Sequence, residues 1–137
     1  RGDVAGVFRK GGGAMRLLVL GGSGNLGATL CVLAHQRGHE VVATCNRRVP
    51  ELAGVRFVKW DAAQGPPPAE LQDLRADVMV HSVAIINPDI CEQYPALARL
   101  VNSESVRQAA AMASEARLVY ISFRTRLIMS CGGIGRA

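Results

Sequence analysis

Short apolar runs alternate with helical apolar patterns along residues 15 to 122. The first run, Leu17 to Leu20, is continuous, which is typical of a strand buried on both faces of a parallel sheet. After a glycine cluster, apolar residues recur at helical spacing as far as Gly38, which favours a helix end there. These positions are Leu26, Leu30, Leu33 and Ala34. The pattern predicts a buried strand followed by an amphipathic helix.

Four more strands and two more helices follow from the same kinds of pattern. The predicted strands are Val41 to Cys45, residues 55 to 60, Ala76 to Val83 and Leu118 to Ser122. The helices are predicted around Glu70 to Leu74 and Pro95 to Ser114, and Asn87-Pro88-Asp89 begins a loop or a helix. Strands that alternate with helices need crossover connections. The sequence therefore predicts an α/β fold, a doubly wound parallel sheet of Rossmann type with about five strands, incomplete at the C-terminus.

Composition and charge describe one folded domain between two basic tails. Of the 137 residues, 49% are apolar and 20% are charged, which is typical of a globular protein. Residues 1 to 14 contribute +2 and residues 123 to 137 contribute +3 to the net charge of +5, so the centre is neutral. We interpret residues 1 to 14 as a flexible extension, 15 to 122 as the domain and 123 to 137 as a tail. A neutral centre disfavours a nucleic-acid partner.

The cysteines and the apolar runs bear on metals, membranes and location. The four cysteines lack the C-x-x-C spacing of metal sites, which disfavours a metal and a disulfide framework. No apolar run approaches the roughly 20 residues that span a bilayer, and no signal-peptide core precedes Met15. We therefore expect no metal, no membrane partner and a cytoplasmic protein with reduced thiols.

A glycine cluster joins the first strand to the first helix, Gly21-Gly22-Ser23-Gly24-Asn25-Leu26-Gly27. A helix N-terminus offers unpaired N–H groups and a partial positive charge, so a pyrophosphate can bind where no side chain blocks it. In the dinucleotide-binding fingerprint Gly21 permits the tight turn, Gly24 the close approach of the phosphates and Gly27 the packing of the helix. An ordinary strand-to-helix turn is the alternative, and the flanking strand and helix favour a dinucleotide.

The end of the second strand indicates which dinucleotide is preferred. An acidic residue there usually binds the ribose of NAD, whereas arginine accommodates the 2′-phosphate of NADP. This chain has Asn46-Arg47-Arg48, three candidate cofactor contacts. The guanidinium groups match phosphate geometry, so NADP(H) is favoured over NAD. The alternative is a solvated basic loop.

Further candidates follow the third and fourth strands. Asp61 ends the third strand, where an acceptor can reach an adenine amino group, and a surface carboxylate is an equal alternative. His81, Ser82, Val83 and Ala84 are expected to line the pocket floor. His81 is favoured as a hydrogen-bonded strand residue rather than a base, since nothing near it in sequence would pair with it.

The glycine motif, Arg47-Arg48, Asp61 and the segment Val80 to Asp89 with Asn102 together resemble the extended short-chain dehydrogenase/reductase superfamily. Within it, the chain looks most like the dTDP-4-dehydrorhamnose reductase family and its relative, the regulatory beta subunit of methionine adenosyltransferase. The resemblance covers residues 15 to 122 and implies an NADP-dependent fold. The cofactor neighbours it implies are Gly21, Ser23, Gly24, Asn25, Leu26, Gly27, Arg47, Arg48, Asp61 and Ala84.

The resemblance ends after Tyr120-Ile121-Ser122. Family members continue with a Ser or Thr that polarises the substrate carbonyl and a later Tyr-x-x-x-Lys pair that delivers a proton. Here Phe123 occupies the hydroxyl position and the chain ends at Ala137. Tyr120 lies in an apolar strand, so we interpret it as core. We expect a truncated or alternatively processed product without catalytic residues, whose exposed sheet edge favours self-association.

Two functions follow as hypotheses. The first is the NADP(H)-binding portion of a dTDP-4-dehydrorhamnose reductase-like oxidoreductase, inactive as this fragment. The second is a regulatory subunit that binds a methionine adenosyltransferase catalytic subunit and holds NADP structurally. A nucleic-acid-binding role of the basic tails is disfavoured.

Overall fold

The structure is a computed structural model, and it describes residues 13–113 and 115–122. Residues 1–12 of the predicted extension and the whole predicted tail, 123–137, lie outside the described residues. The predicted strands and helices fall within the described part, except that Ser114, the predicted end of the long helix, lies outside the described residues.

Five parallel strands form one sheet in the order β3-β2-β1-β4-β5. Their bounds are β1 Arg16–Leu20, β2 Glu40–Cys45, β3 Val55–Lys59, β4 Val78–His81 and β5 Arg117–Tyr120. This arrangement confirms the predicted doubly wound α/β fold. Because β2 and β4 lie on opposite sides of β1, the crossovers diverge there and leave a crevice beyond the carboxyl ends of the strands.

The helices cover both faces of the sheet. Their bounds are α1 Asn25–Gln36, α2 Ala69–Gln72, α3 Pro88–Gln93, α4 Pro95–Arg99 and α5 Ser105–Met112. A π-helical segment, Leu100–Glu104, joins α4 to α5, so the long helix predicted from Pro95 is wound wider in its middle. Asn87 accepts hydrogen bonds from the N–H groups of Asp89 and Ile90, so Asn87-Pro88-Asp89 begins a helix.

The core lies in two layers because the side chains of β1 alternate between the faces of the sheet. Leu18 and Leu20 point into a cluster that includes Trp60, Val101 and Ala109. The other cluster is formed by Met15, Leu17, Val19, Cys31, Ala34, Val41, Ala43, Val78 and Val80. Burial on both faces explains the continuous apolar run of β1.

Helix α1 packs on the sheet through small residues rather than through its leucines. Its buried residues are Gly27, Cys31 and Ala34. Leu26 and Leu33, which the helical spacing placed on the buried face, are 44% and 42% exposed, so that assignment is wrong for them. Small side chains at the contact let the helix approach the sheet closely, and this approach turns both leucines outward.

The position of Tyr120 in the edge strand β5 differs from the prediction that it is a core residue. Tyr120 is 48% exposed and is therefore not a core residue. Its ring meets the ring of His81 edge-on, with centroids 5.7 Å apart. The exposure follows from the position of β5, which has only β4 beside it in the described sheet.

The cysteines Cys31, Cys45 and Cys91 carry free thiols. Burial raises the pKa of Cys31 to about 11, which keeps its thiol protonated. Within residues 13–113 and 115–122, no helix has the length and apolarity to cross a membrane. The same residues contain no cluster of His, Cys, Asp and Glu suited to a metal ion.

Candidate functional site

The loop between β1 and α1 is a tight glycine turn at the carboxyl edge of the sheet. Gly21 has a φ of +91°, which a residue with a side chain rarely adopts. Its carbonyl accepts a hydrogen bond of 3.2 Å from the N–H of Gly24, and the Gly24 carbonyl accepts one of 2.8 Å from Ala28. The chain therefore reverses within this loop and enters α1 directly.

The glycines of this loop are required for different reasons. A Cβ atom on Gly27 would lie 2.1 Å from the Gly21 carbonyl oxygen, and one on Gly22 would lie 2.4 Å from the Ala43 Cβ. Gly24 has an ordinary φ of −76°, and its nearest neighbour would be the Gly21 oxygen at 3.6 Å. Packing within the protein thus requires glycine at 22 and 27 but leaves room for a Cβ atom on Gly24.

The first turn of α1 keeps its hydrogen-bonding capacity. Gly24 is the N-cap residue, no side chain caps this end, and no acidic residue stands in the first turn of this helix. Ser23, Asn25 and Leu26 are exposed around it. Free amide groups and the helix dipole make this end suited to an anion.

Two hydroxyl groups from other strands hold Gly21. Its N–H donates a hydrogen bond of 2.9 Å to Thr44 Oγ1, and Thr44 is buried in β2. From the residue after β4, the Ser82 hydroxyl donates to the Leu20 carbonyl at 2.9 Å and approaches the Gly21 carbonyl at 3.3 Å. Thr44 was not among the predicted site residues, and its signal in the sequence was a hydroxyl within an otherwise apolar strand.

A cavity of about 360 Å³ opens beside this loop. It is lined by Thr44, Cys45, Asn46, Arg47, Trp60, Asp61, Ala62, Ala63, Val83, Ala84, Ile85, Leu97 and Val101. Its size is that of a small-molecule site, which ranges from about 300 to 1,000 Å³. The cavity lies where β2, β3 and β4 end, so residues distant in sequence meet there.

The structure brings four predicted site residues together around the cavity. Asn46, Arg47, Asp61 and Ala84 all line it. Arg48 is exposed and does not line it, and neither do the predicted glycine-loop residues Gly21, Ser23, Gly24, Asn25, Leu26 and Gly27. The loop reaches the cavity through Thr44, which lines the cavity and bonds to Gly21.

The rim and one wall of the cavity are fixed by hydrogen bonds. Asp61 Oδ1 accepts a bond of 2.9 Å from the Ala63 N–H, which orients the carboxylate. On the other side, Asn102 Oδ1 accepts from the Ile85 N–H at 2.7 Å and its Nδ2 donates to the Ile85 carbonyl at 2.9 Å. One side chain in the π-helical segment thus holds the loop that follows β4.

His81 and Ser82, which were predicted to line the pocket floor, do not line this cavity, whereas Val83 and Ala84 do. The His81 ring is fully buried, with Nε2 2.9 Å from Ser105 Oγ. Because the Ser105 hydroxyl donates to the Val101 carbonyl at 2.6 Å, we assign the imidazole proton to Nε2. Nδ1 then has no partner among the described residues, and burial lowers the pKa of His81. A neutral, buried ring suits a strand residue and not a catalytic base.

Comparison with known proteins identifies the family. Residues 15–125 match the family model described as the RmlD substrate binding domain, and the glycine loop and the cavity both lie within this range. The chain belongs to this family. The match confirms the predicted resemblance to the extended short-chain dehydrogenases/reductases of the dTDP-4-dehydrorhamnose reductase type.

Three relatives illustrate the likeness. The dTDP-6-deoxy-L-talose 4-dehydrogenase (NAD(P)(+)) of Kitasatospora kifunensis is 34% identical over 110 residues, which cover 77% of this chain and 34% of that protein. A hypothetical dTDP-4-dehydrorhamnose reductase from Sulfolobus tokodaii is 32% identical with a TM-score of 0.65, over 79% of this chain and 39% of that one. The Bordetella bronchiseptica enzyme WbmG, in complex with NAD and UDP, is 26% identical with a TM-score of 0.61, over 79% and 37%. The chain therefore spans between a third and two fifths of the length of these relatives.

Proposed function

We propose that residues 15 to 122 bind a dinucleotide, with NADP(H) preferred over NAD(H), as the cofactor-binding portion of a sugar-nucleotide oxidoreductase. The observation that carries the proposal is that a Cβ on Gly24 would meet no clash, at a start of α1 that no side chain caps. Protein packing gives no reason for glycine there, whereas a diphosphate close to the backbone does. A relative named as NAD(P)(+)-dependent and another in complex with NAD support the class of ligand.

The cavity at the ends of β2, β3 and β4 is the proposed adenosine site. Its apolar wall suits an adenine ring, and Asp61 offers a carboxylate at the rim for the amino group. Arg47 lines the same cavity and can pair with a 2′-phosphate. We propose Arg47 as the residue that favours NADP(H), with Asn46 and Ala84 as neighbours and Arg48 as a more distant cation.

We further propose that the 137-residue chain by itself does not reduce a sugar nucleotide. A bound reduced nicotinamide would supply the hydride, and reduction of a carbonyl also needs a proton donor. The lysines of the sequence are Lys10 and Lys59, and neither follows a tyrosine by four residues. We expect no oxidation of NADPH with a dTDP-4-dehydro-6-deoxy sugar in an absorbance assay, and measurable turnover would contradict this part.

Fluorescence titration with NADPH and NADH tests the cofactor proposal. Wild type is expected to prefer NADPH, and Arg47→Ala to lose roughly tenfold or more in NADPH affinity, since bonds to charged groups contribute about 1.5 to 3 kcal/mol. Arg48→Ala should lose less, and Arg56→Ala, an exposed arginine farther along β3, is the matched control. Equal weak binding of both cofactors by wild type would contradict the proposal.

A regulatory role is the second candidate, and the arginine pair Arg47-Arg48 after β2 favours it. In this role the chain binds a catalytic subunit of methionine adenosyltransferase and holds NADP as a structural ligand. Co-purification of the two proteins tests it, and failure to associate at micromolar concentration would remove it.

The cytoplasmic location stays a prediction, which imaging of the tagged chain can check.

A further inference from the structure

We propose that Thr44 is a positioning residue for the dinucleotide, because its hydroxyl holds the glycine loop in its anion-binding shape before any ligand arrives. This inference rests on the proposed dinucleotide binding. It concerns a residue of β2 that reaches the diphosphate only through the backbone of Gly21.

Thr44 is a buried hydroxyl residue in an otherwise apolar strand. Thr44 is 1% exposed within β2, and its buried neighbours in that strand are Val41, Val42, Ala43 and Cys45. A buried hydroxyl is unfavourable unless it is hydrogen-bonded. Its oxygen accepts the Gly21 N–H at 2.9 Å, so the hydroxyl is used by the loop.

The Gly21 peptide controls the conformation of the rest of the loop. The Gly21 carbonyl accepts a hydrogen bond of 3.2 Å from the Gly24 N–H. It also packs so closely against Gly27 that a Cβ atom there would lie 2.1 Å from its oxygen. The hydroxyl of Ser82, the residue after β4, approaches the same carbonyl at 3.3 Å. Any rotation of the Gly21 peptide must therefore displace Gly24 and the first turn of α1, the amides proposed to bind the diphosphate.

Thr44 lies between the two halves of the proposed site, which are the glycine loop and the adenosine cavity. Thr44 also lines the cavity proposed for the adenosine, whereas the glycine loop does not. Valine keeps the size of the side chain at the cavity wall, so losing the hydroxyl should misplace the diphosphate and change adenosine binding little. This separation distinguishes positioning of the loop from a general effect on the fold.

The experiment compares Thr44→Val, which removes the acceptor at nearly constant volume, with Thr44→Ser, which keeps it. Thr29→Val is the matched control, because it also removes a threonine hydroxyl, one that donates to the Asn25 carbonyl and does not bond to Gly21. Dissociation constants are measured for NADPH and for adenosine 2′-monophosphate, which lacks the diphosphate. We expect Thr44→Val to weaken NADPH binding by about tenfold, since a charge-assisted bond is misplaced, and to change binding of the monophosphate by less than about twofold. Thr44→Ser should stay within about threefold of wild type for both ligands.

Several results would overturn the proposal. These are unchanged NADPH binding by Thr44→Val, an equal loss for both ligands, or a serine variant as weak as the valine variant. Thr44→Cys, whose sulfur is a weak acceptor, should give a smaller loss of the same kind and replaces the valine variant if that one does not fold.

Amide hydrogen exchange on the unliganded chain separates this inference from the proposed function. Thr44→Val should speed exchange at the amides of Gly21 and Gly24, which are hydrogen-bonded to Thr44 Oγ1 and to the Gly21 carbonyl, and Thr29→Val should not. A wild-type chain that binds neither NADPH nor NADH contradicts the proposed function. In that event exchange alone decides whether Thr44 holds the loop, and unchanged exchange in Thr44→Val overturns that as well.

Discussion

At the scale of single residues, Gly24 and Gly27 belong to one motif but are required by different neighbours. We predict that Gly24→Ala loses dinucleotide binding, because its methyl group occupies the proposed phosphate position. It should lose less than about 1 kcal/mol in stability, because the methyl group fits the protein although alanine is a poorer N-cap than glycine. Gly27→Ala should instead lose about 1 to 3 kcal/mol in stability through its clash with the Gly21 carbonyl. Urea unfolding and NADPH titration of both variants check this, and tight binding by Gly24→Ala would contradict the assignment.

His81 gives the domain a pH-dependent stability. Burial lowers its pKa below the ordinary value of 6.5, so the unfolded chain binds a proton more readily than the folded one. The stability is then fully present above the unfolded pKa and is lost as the pH falls from there towards the lower folded pKa. We expect a loss of at most about 1.4 kcal/mol per pH unit in that window.

Urea titrations between about pH 7 and pH 5.5 measure this loss, a range above the ordinary titration of carboxylates. His81→Leu should remove most of the dependence, because it leaves no group to protonate at that position. His35→Gln, at an exposed histidine, should retain the dependence. A wild-type stability that does not change over the range would show that His81 accepts a proton without cost.

At the scale of elements, the loop after β4 depends on one side chain from the π-helical segment. Asn102 bonds both the N–H and the carbonyl of Ile85, so Asn102→Ala leaves two backbone groups without these partners. We predict a loss of about 1 to 3 kcal/mol and faster amide exchange at residues 84–86. Ser103→Ala, at the exposed neighbour, is the control. Equal stability of the two variants would contradict the role of Asn102.

The elements differ in how far the sequence could predict them. Strand β1 was predictable because a strand buried on both faces needs a continuous apolar run. The end of α1 was predictable as well, since Gly38 has a φ of +82°, which glycine adopts readily. The π-helical segment was not, because Asn102 and Ser105 hold it through contacts with Ile85 and His81, which are remote in sequence.

The candidate site shows the same division. Asn46, Arg47 and Asp61 were predictable as neighbours because the carboxyl ends of parallel strands meet at one edge. The different positions of Arg47 and Arg48 were not, since adjacent residues after a strand turn to different sides. Thr44 required a three-dimensional contact to show that its hydroxyl serves Gly21.

At the scale of the whole molecule, a dinucleotide bound at the proposed site would contact both halves of the sheet, on either side of β1, at once. The proposed site joins the loop after β1, the end of β2 and the loop after β4, so binding should stabilise the domain as a unit. At 100 times its dissociation constant, NADPH should add about 2.7 kcal/mol to the free energy of unfolding. Thermal unfolding with NADPH, NADH and no ligand checks this, and Arg47→Ala should shrink the NADPH shift selectively.

Because β1 is the central strand, it forms the boundary between two halves of the chain. The strand pairs with β2 from the first half of the chain and with β4 from the second. Arg16 adds bonds across the same line, from its N–H to Asp77 and from its guanidinium to the Leu74 carbonyl. The exposed Pro66 lies in the connection between the halves. Two pieces divided there should dock together into one native unit, which makes the chain a candidate for a split reporter of molecular proximity.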